Sequence, residues 1–186
     1  MLPIVVDVAR ARVILVGQGP HLLRRLRYLD GGAAEEVAVF SVAPDDKLRA
    51  MAGQRLQERL PGERDMRGAK LVFVAGLSRE RAAVMAATAR LVGALVNVED
   101  VMELCDFHTP ALVRRGDLVV TVSTGGKSPG LARMFREYLE DRIAPEWAGR
   151  LEVLAQERAK WYSDGLEGHE VSKRTHEMIE RNGWLA

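Results

Sequence analysis

The feature that most constrains this chain is an alternation that begins at Arg12. The run Arg12 to Gly17 (RVILVG) is short, apolar and closed by glycine. Gly19 to Asp30 follows, with Leu22, Leu23, Leu26 and Leu29 at helical spacing before Gly31-Gly32. A buried strand followed by an amphipathic helix produces this pattern. The pattern repeats. Val37 to Val42 predicts a second strand, and Asp45 to Arg59 a helix stopped by Pro61-Gly62. Lys70 to Ala75 predicts a third strand, followed by an Ala-rich helix that Ser78 can cap and that runs to Leu91. Leu95 to Val98 predicts a fourth. Strands alternating with helices imply βαβ units, a mostly parallel sheet and right-handed crossovers.

Beyond Val98 the pattern changes. Leu118 to Ser123 predicts one more strand, and Lys127 to Asp141 a helix. From Pro145 onward no strand signal remains. Trp147 to Tyr162 and His169 to Arg181 predict two helices joined at Asp164-Gly165. The fold class expected is α/β, Rossmann-like, with a helical C-terminal part.

Composition excludes several functions. Hydrophobic residues make up 47% and charged residues 28% of 186 residues, the balance of a globular chain. The net charge of +1 supplies no basic surplus, so no nucleic-acid partner is expected. The single cysteine, Cys105, leaves no intrachain disulfide and no Cys-cluster zinc site. No apolar run reaches the length of a membrane span, and no membrane association is expected. Asp7, Arg10 and Arg12 break up the start of the chain as a signal peptide, and a cytoplasmic location is expected.

Three segments carry candidate chemistry. Gly17-Gln18-Gly19-Pro20-His21-Leu22 joins the first strand to the first helix, the place of a dinucleotide fingerprint. There glycine permits the tight turn and a close backbone approach, and the helix start offers free N–H groups to a pyrophosphate. The match to G-x-G-x-x-G is partial. Leu22 takes the third position, and the second strand ends in Phe40-Ser41 with no acid for a ribose. A tight turn with no ligand fits this segment equally well. The second segment, Asn97-Val98-Glu99-Asp100, lies at a strand's carboxyl end, where open α/β sheets bind ligands. Asp100 there suits a general base, and Asp100 with Glu103 also suits a helix cap. The third is Ser123-Thr124-Gly125-Gly126-Lys127-Ser128-Pro129, with Arg133 beyond. It is not a P-loop, because its glycines are wrongly spaced. Its N–H groups, its lysine and the following helix favour an anion, and Ser128-Pro129 also reads as a plain helix start.

In order, these segments resemble the N-terminal module of siroheme synthases and the precorrin-2 dehydrogenase/sirohydrochlorin ferrochelatase family. The resemblance runs from Leu2-Pro3-Ile4 through Arg12 to Gly19 and Arg24-Arg25. It is most specific over Asn97 to Asp100, Leu104 to Phe107, Pro110, Arg115 to Leu118 and Ser123 to Arg133. It implies three parts: an NAD-binding domain at residues 1–112, a dimerisation and tetrapyrrole-binding segment at 113–145, and a helical part at 146–186. It implies a homodimer and the NAD-dependent oxidation of precorrin-2 to sirohydrochlorin, with Fe²⁺ insertion as a second activity in bifunctional members.

The resemblance places the catalytic aspartate on Asp100. It places NAD on Gly17, Gln18, Gly19, Pro20, His21, Leu22, Ser41, Ala75 and Gly76. The tetrapyrrole falls on Ser123, Thr124, Gly125, Gly126, Lys127, Ser128 and Arg133, with His108 close by in sequence. A lone histidine such as His108 is more often an ordinary hydrogen-bonded residue. No resident metal is expected, since the macrocycle nitrogens would be the final ligands of any iron. Leu22 stands where the family has a small residue, and it is expected to crowd the pyrophosphate turn. Ala75-Gly76-Leu77-Ser78 and His108-Thr109 also depart from the pattern. These departures leave open a tetrapyrrole-binding chelatase, or a non-catalytic sensor, that has lost NAD use.

Overall fold

A computed structural model describes residues 2–185. Two compact units divide between Thr109 and Pro110.

The first unit is a five-stranded parallel sheet. Its strands are β1 (Val13–Gly17), β2 (Val37–Phe40), β3 (Leu56–Gln57), β4 (Leu71–Ala75) and β5 (Leu95–Val98), in spatial order β3-β2-β1-β4-β5. Val13 pairs with Val37 on one side and with Leu71 on the other. The chain therefore winds outward from β1 through β2 to β3, then crosses to β4 and β5. The order reverses between β1 and β4, and a crevice opens at such a reversal beyond the strands' carboxyl ends.

Both faces of the sheet are covered, which is why the strands read as unbroken apolar runs. Val13, Leu15, Val37, Val39, Leu71 and Phe73 face one core. Leu22, Leu23, Leu26 and Leu29 of α1 (Gly19–Asp30) and Leu48 and Ala52 of α2 (Asp46–Ala52) complete it. Ile14, Val16, Val72, Val74, Val96 and Val98 face the other core. Met66 of α3 (Glu63–Met66) and Ala82, Met85, Ala86 and Ala89 of α4 (Arg79–Leu91) complete that one. The small alanines of α4 let the helix lie close to the sheet. Ser78 caps it, accepting from the Arg81 amide.

Two expectations are corrected here. The helix expected to reach Arg59 stops at Ala52, because Gly53 turns the chain with φ +52°. The residues that follow form β3, an edge strand of two residues paired with Val39 and Phe40. Leu56-Gln57 is too short and too polar to show as a strand in sequence.

The second unit opens with a hairpin, β6 (Ala111–Arg115) and β7 (Leu118–Val122), antiparallel with Arg115 opposite Leu118. Gly116 takes φ +58° in the two-residue turn. Only β7 is expected from the sequence, since Ala111–Arg115 ends in two arginines that mask its apolar half. Helices α5 (Pro129–Arg142), α6 (Trp147–Ser163) and α7 (Gly168–Arg181) follow. Arg115 donates to the carbonyls of Glu140 and Ile143, tying the hairpin to the end of α5. Arg150 lies over the rings of Trp147 and Trp184, which meet edge to face. The 113–145 and 146–186 segments both lie within this one unit.

Candidate active site

The turn after β1 and the turn after β4 interlock. The Gln18 amide donates to the Ala75 carbonyl at 3.1 Å. A Cβ on Gly17 would lie 1.8 Å from that same carbonyl oxygen, and a Cβ on Gly76 would lie 2.3 Å from the Gln18 carbonyl oxygen. Only glycine fits at either position, and the fit brings Gly17, Gln18, Ala75 and Gly76 together at the crevice. Gly19 differs. It takes φ +65°, and a Cβ there would meet nothing within 4 Å. The backbone at Gly19 therefore faces open space at the start of a twelve-residue helix. Gln18 gives that helix no side-chain cap, and Pro20 occupies its first turn. An uncapped helix start beside an open glycine suits an anion.

Ser41 follows β2 at the neighbouring strand end. Its amide donates to the Gln57 carbonyl at 3.0 Å. Its hydroxyl is fully buried and has no hydrogen-bond partner. A buried hydroxyl without a partner costs free energy, on the order of 1–3 kcal/mol. A ligand hydroxyl at this edge would supply one. The open Gly19, the uncapped helix and the orphaned Ser41 fit a dinucleotide laid across β1 and β2. Leu22 is a correction: its side chain is wholly buried in the α1-side core. It neither lines the turn nor crowds it.

Asp100 follows β5 by two residues. Its backbone takes φ +61°, a left-handed conformation that costs an L-residue about 1–2 kcal/mol. It caps no helix: the 3₁₀ turn Met102–Leu104 has Val101 at its N-cap, with no side-chain bond. Its carboxylate is exposed and makes no hydrogen bond or ion pair among the described residues. The loop that carries it is fastened at its base. The Cys105 thiol accepts from the Val98 amide at 3.2 Å, and burial pushes its pKa up, so it stays a neutral thiol. The Asp106 carboxylate accepts from the Val96 amide and from Arg90. Asn97 donates to the Phe107 carbonyl at 2.9 Å. A strained residue on a well-anchored loop makes Asp100 a candidate functional position.

Glu99 is the residue that sequence reasoning misses. Its side chain is only 10% exposed, and its carboxylate accepts from His21 Nδ1 at 2.8 Å and from Arg24 at 2.6 Å. An acid directly before Asp100 at a strand's carboxyl end was the available signal. Next to it, Arg25 donates to Thr109 and lies over the Phe73 ring. Burial lowers its pKa, and the charge of Glu99 acts against that shift. His108 is exposed and makes no such contact among the described residues.

In the second unit, Ser123 to Ser128 forms a tight loop. The Thr124 hydroxyl accepts from the Ser128 amide and donates to its carbonyl. Gly125 and Gly126 take φ +64° and +78° in succession. Ser128 caps α5 by accepting from the Leu131 amide, and Pro129 opens the helix. Lys127 is exposed and has no ion-pair partner among the described residues. Arg133 pairs with Glu137 at 2.9 Å.

A parallel sheet reversed at β1/β4, with a glycine cradle at that point and an acid at the adjacent strand end, defines a dinucleotide-binding α/β protein. The family described as putative NAD(P)-binding matches residues 4–111, and the family described as sirohaem biosynthesis protein central matches 115–142. The chain belongs to the putative NAD(P)-binding family and is a relative of siroheme synthases. It is 37% identical to the siroheme synthase of Methylococcus capsulatus over 158 residues, which cover 83% of this chain and 33% of that one. It is 35% identical to that of Gluconobacter oxydans over 183 residues, covering 94% of this chain and 38% of that one. The chain thus spans about a third of the length of these relatives. The solved structure of SirC, precorrin-2 dehydrogenase, superposes with a TM-score of 0.80 over 100% of this chain and 93% of that one, at 19% identity. At that identity the likeness is one of fold.

Proposed function

We propose that this chain oxidises precorrin-2 to sirohydrochlorin with NAD⁺, in the making of siroheme. The observation that carries the reading is the presence of two features at the carboxyl edge of one sheet: an open glycine turn at the reversal after β1, and a strained Asp100, unpaired among the described residues, after β5. The relationship to siroheme synthases supplies the substrate class.

When bound, NAD⁺ supplies the hydride acceptor. The backbone of Gly17, Gln18, Gly19, Pro20 and His21 would hold the diphosphate at the start of α1, with Ser41, Ala75 and Gly76 at the adjoining strand ends. Asp100 accepts the proton released by the macrocycle or holds the positive charge that develops on it. The tetrapyrrole is a polycarboxylate, and the amides and hydroxyls of Ser123 to Ser128, with Lys127 and Arg133, suit its acid groups. His108 is exposed, makes no hydrogen bond among the described residues, and is a further candidate for substrate contact.

The burial of Leu22 supports NAD use, while the altered Ala75 to Ser78 segment is what still favours a chain that has lost it. Insertion of Fe²⁺ into the product is a second activity of the same chain. It requires only the macrocycle nitrogens as final ligands and a base for their protons.

The working form is a homodimer. Leu131, Met134, Phe135 and Tyr138 lie at helical spacing on α5 and are 45–67% exposed, an apolar stripe that a second copy would cover. Among the described residues no helix is long and apolar enough to cross a membrane. The cytoplasm is the proposed location.

Calorimetric titration with NAD⁺ tests the cofactor reading. Saturable binding in the micromolar to millimolar range, weakened when Gly19 is replaced by a larger residue, supports it. An absence of heat at millimolar NAD⁺ contradicts it.

A further inference from the structure

Glu99 is a nearly buried charge that the cofactor and substrate contacts above do not use. Its two oxygens are divided between two donors, Arg24 on one and His21 on the other. Arg24 also lies 3.2 Å from His21 Nδ1. Two donors do not bond each other, so the Nδ1 proton is committed to the carboxylate. With the carboxylate as acceptor, Nδ1 is the donor and Nε2 is the ring nitrogen left free. The His21 side chain is 43% exposed, and Asp100 is the residue directly after Glu99. A buried carboxylate holding the inner nitrogen of a half-exposed imidazole is the arrangement of an oriented base.

We propose that His21 is the proton acceptor of the oxidation, with Glu99 as its positioning residue, and that Asp100 holds the positive charge developing on the macrocycle. This rests on the dehydrogenase reading. In the step, a C–H bond of the substrate breaks and its electron pair leaves as hydride to the nicotinamide. A second C–H or N–H bond of the substrate breaks, its electron pair stays in the new double bond of the macrocycle, and that one proton passes to His21 Nε2 and then to water. Glu99 accepts from Nδ1 and stabilises the imidazolium. The charged groups in contact with the ring are Glu99, from the end of β5, and Arg24, from α1.

The test uses the full chain with His21→Gln, Glu99→Gln and the double variant. Three readouts are needed: NADH formation from precorrin-2 as a function of pH, the NAD⁺ dissociation constant, and the ¹⁵N shifts of the His21 ring without ligand. His21→Gln lowers kcat by about a hundredfold or more while leaving NAD⁺ affinity within about twofold. The fall of kcat toward low pH, present in the parent chain, is lost. Glu99→Gln costs less, and the double variant is no slower than His21→Gln alone, because Glu99 acts through His21. The ¹⁵N shifts report a proton on Nδ1 in the parent and a mixture of tautomers in Glu99→Gln. An active His21→Gln chain with the parent's pH profile overturns the proposal, as does a loss confined to NAD⁺ affinity. A parent chain that binds no NAD⁺ and forms no NADH overturns the dehydrogenase reading, and this proposal with it.

Discussion

The carbonyl oxygen of Ala75 accepts from the Gln18 amide at 3.1 Å and leaves no room for a Cβ on Gly17. One backbone contact thus sets both the end of β1 and the start of the cofactor turn. Gly17→Ala must push β1 away from β4 or break that hydrogen bond, and a loss of about 1–3 kcal/mol in urea unfolding is expected, the usual range for overpacking. Gly19→Ala has space and carries only the left-handed backbone cost of about 1–2 kcal/mol. The two variants separate on ligand: Gly19→Ala folds but binds NAD⁺ more weakly, because its Cβ fills the open cradle.

Asp100 yields a prediction with opposite effects on stability and activity. Its φ of +61° suits glycine. Asp100→Gly relieves the strain and loosens the unfolded chain by a similar amount, so unfolding free energy stays within about 1 kcal/mol of the parent. NADH formation falls by about a hundredfold or more. A variant that loses stability and keeps its rate would assign Asp100 to structure.

Asp65 governs part of the acid limit of stability. Its hydrogen bonds with Arg59, and then the one from the Gly62 amide, hold its pKa down at about 2. A carboxylate with a lowered folded pKa stabilises above its unfolded value, near 4, and that stability is lost as pH falls through the folded value. Asp65→Asn is therefore less stable than the parent at neutral pH. The gap closes between about pH 4 and pH 2. Thermal unfolding of the two chains across that window checks it, and a gap independent of pH would show that the carboxylate charge is not its source.

Phe135→Glu places a charge in the exposed stripe of α5 without touching a buried residue. Light scattering is expected to show a dimeric parent and a monomeric variant, each with the same helical content. A monomeric parent would remove the second copy as the partner of this face.

How much of this was legible beforehand follows from where the information lies. β1, α1, β4, α4 and β5 show in the sequence because burial on both faces forces unbroken apolar runs and helical leucine spacing. β3 and β6 do not, since one is a two-residue edge and the other ends in two arginines. The glycine turn was readable as a turn, but its fit was not: that Gly17 and Gly76 are compulsory while Gly19 is open depends on the Ala75 and Gln18 carbonyls across the β1–β4 boundary. Leu22 faces the core and not the turn, which spacing alone cannot distinguish. Glu99 was passed over beside Asp100. Its importance comes from His21 and Arg24, far away in sequence, and only the fold brings them within hydrogen-bond reach.

The most direct measurement mixes the purified chain with precorrin-2 and NAD⁺ and follows NADH and sirohydrochlorin together. One NADH for each sirohydrochlorin, with the rate abolished in Asp100→Ala, is the result this account predicts. Precorrin-2 left unchanged in the presence of saturating NAD⁺, or a parent-like rate in Asp100→Ala, would contradict it.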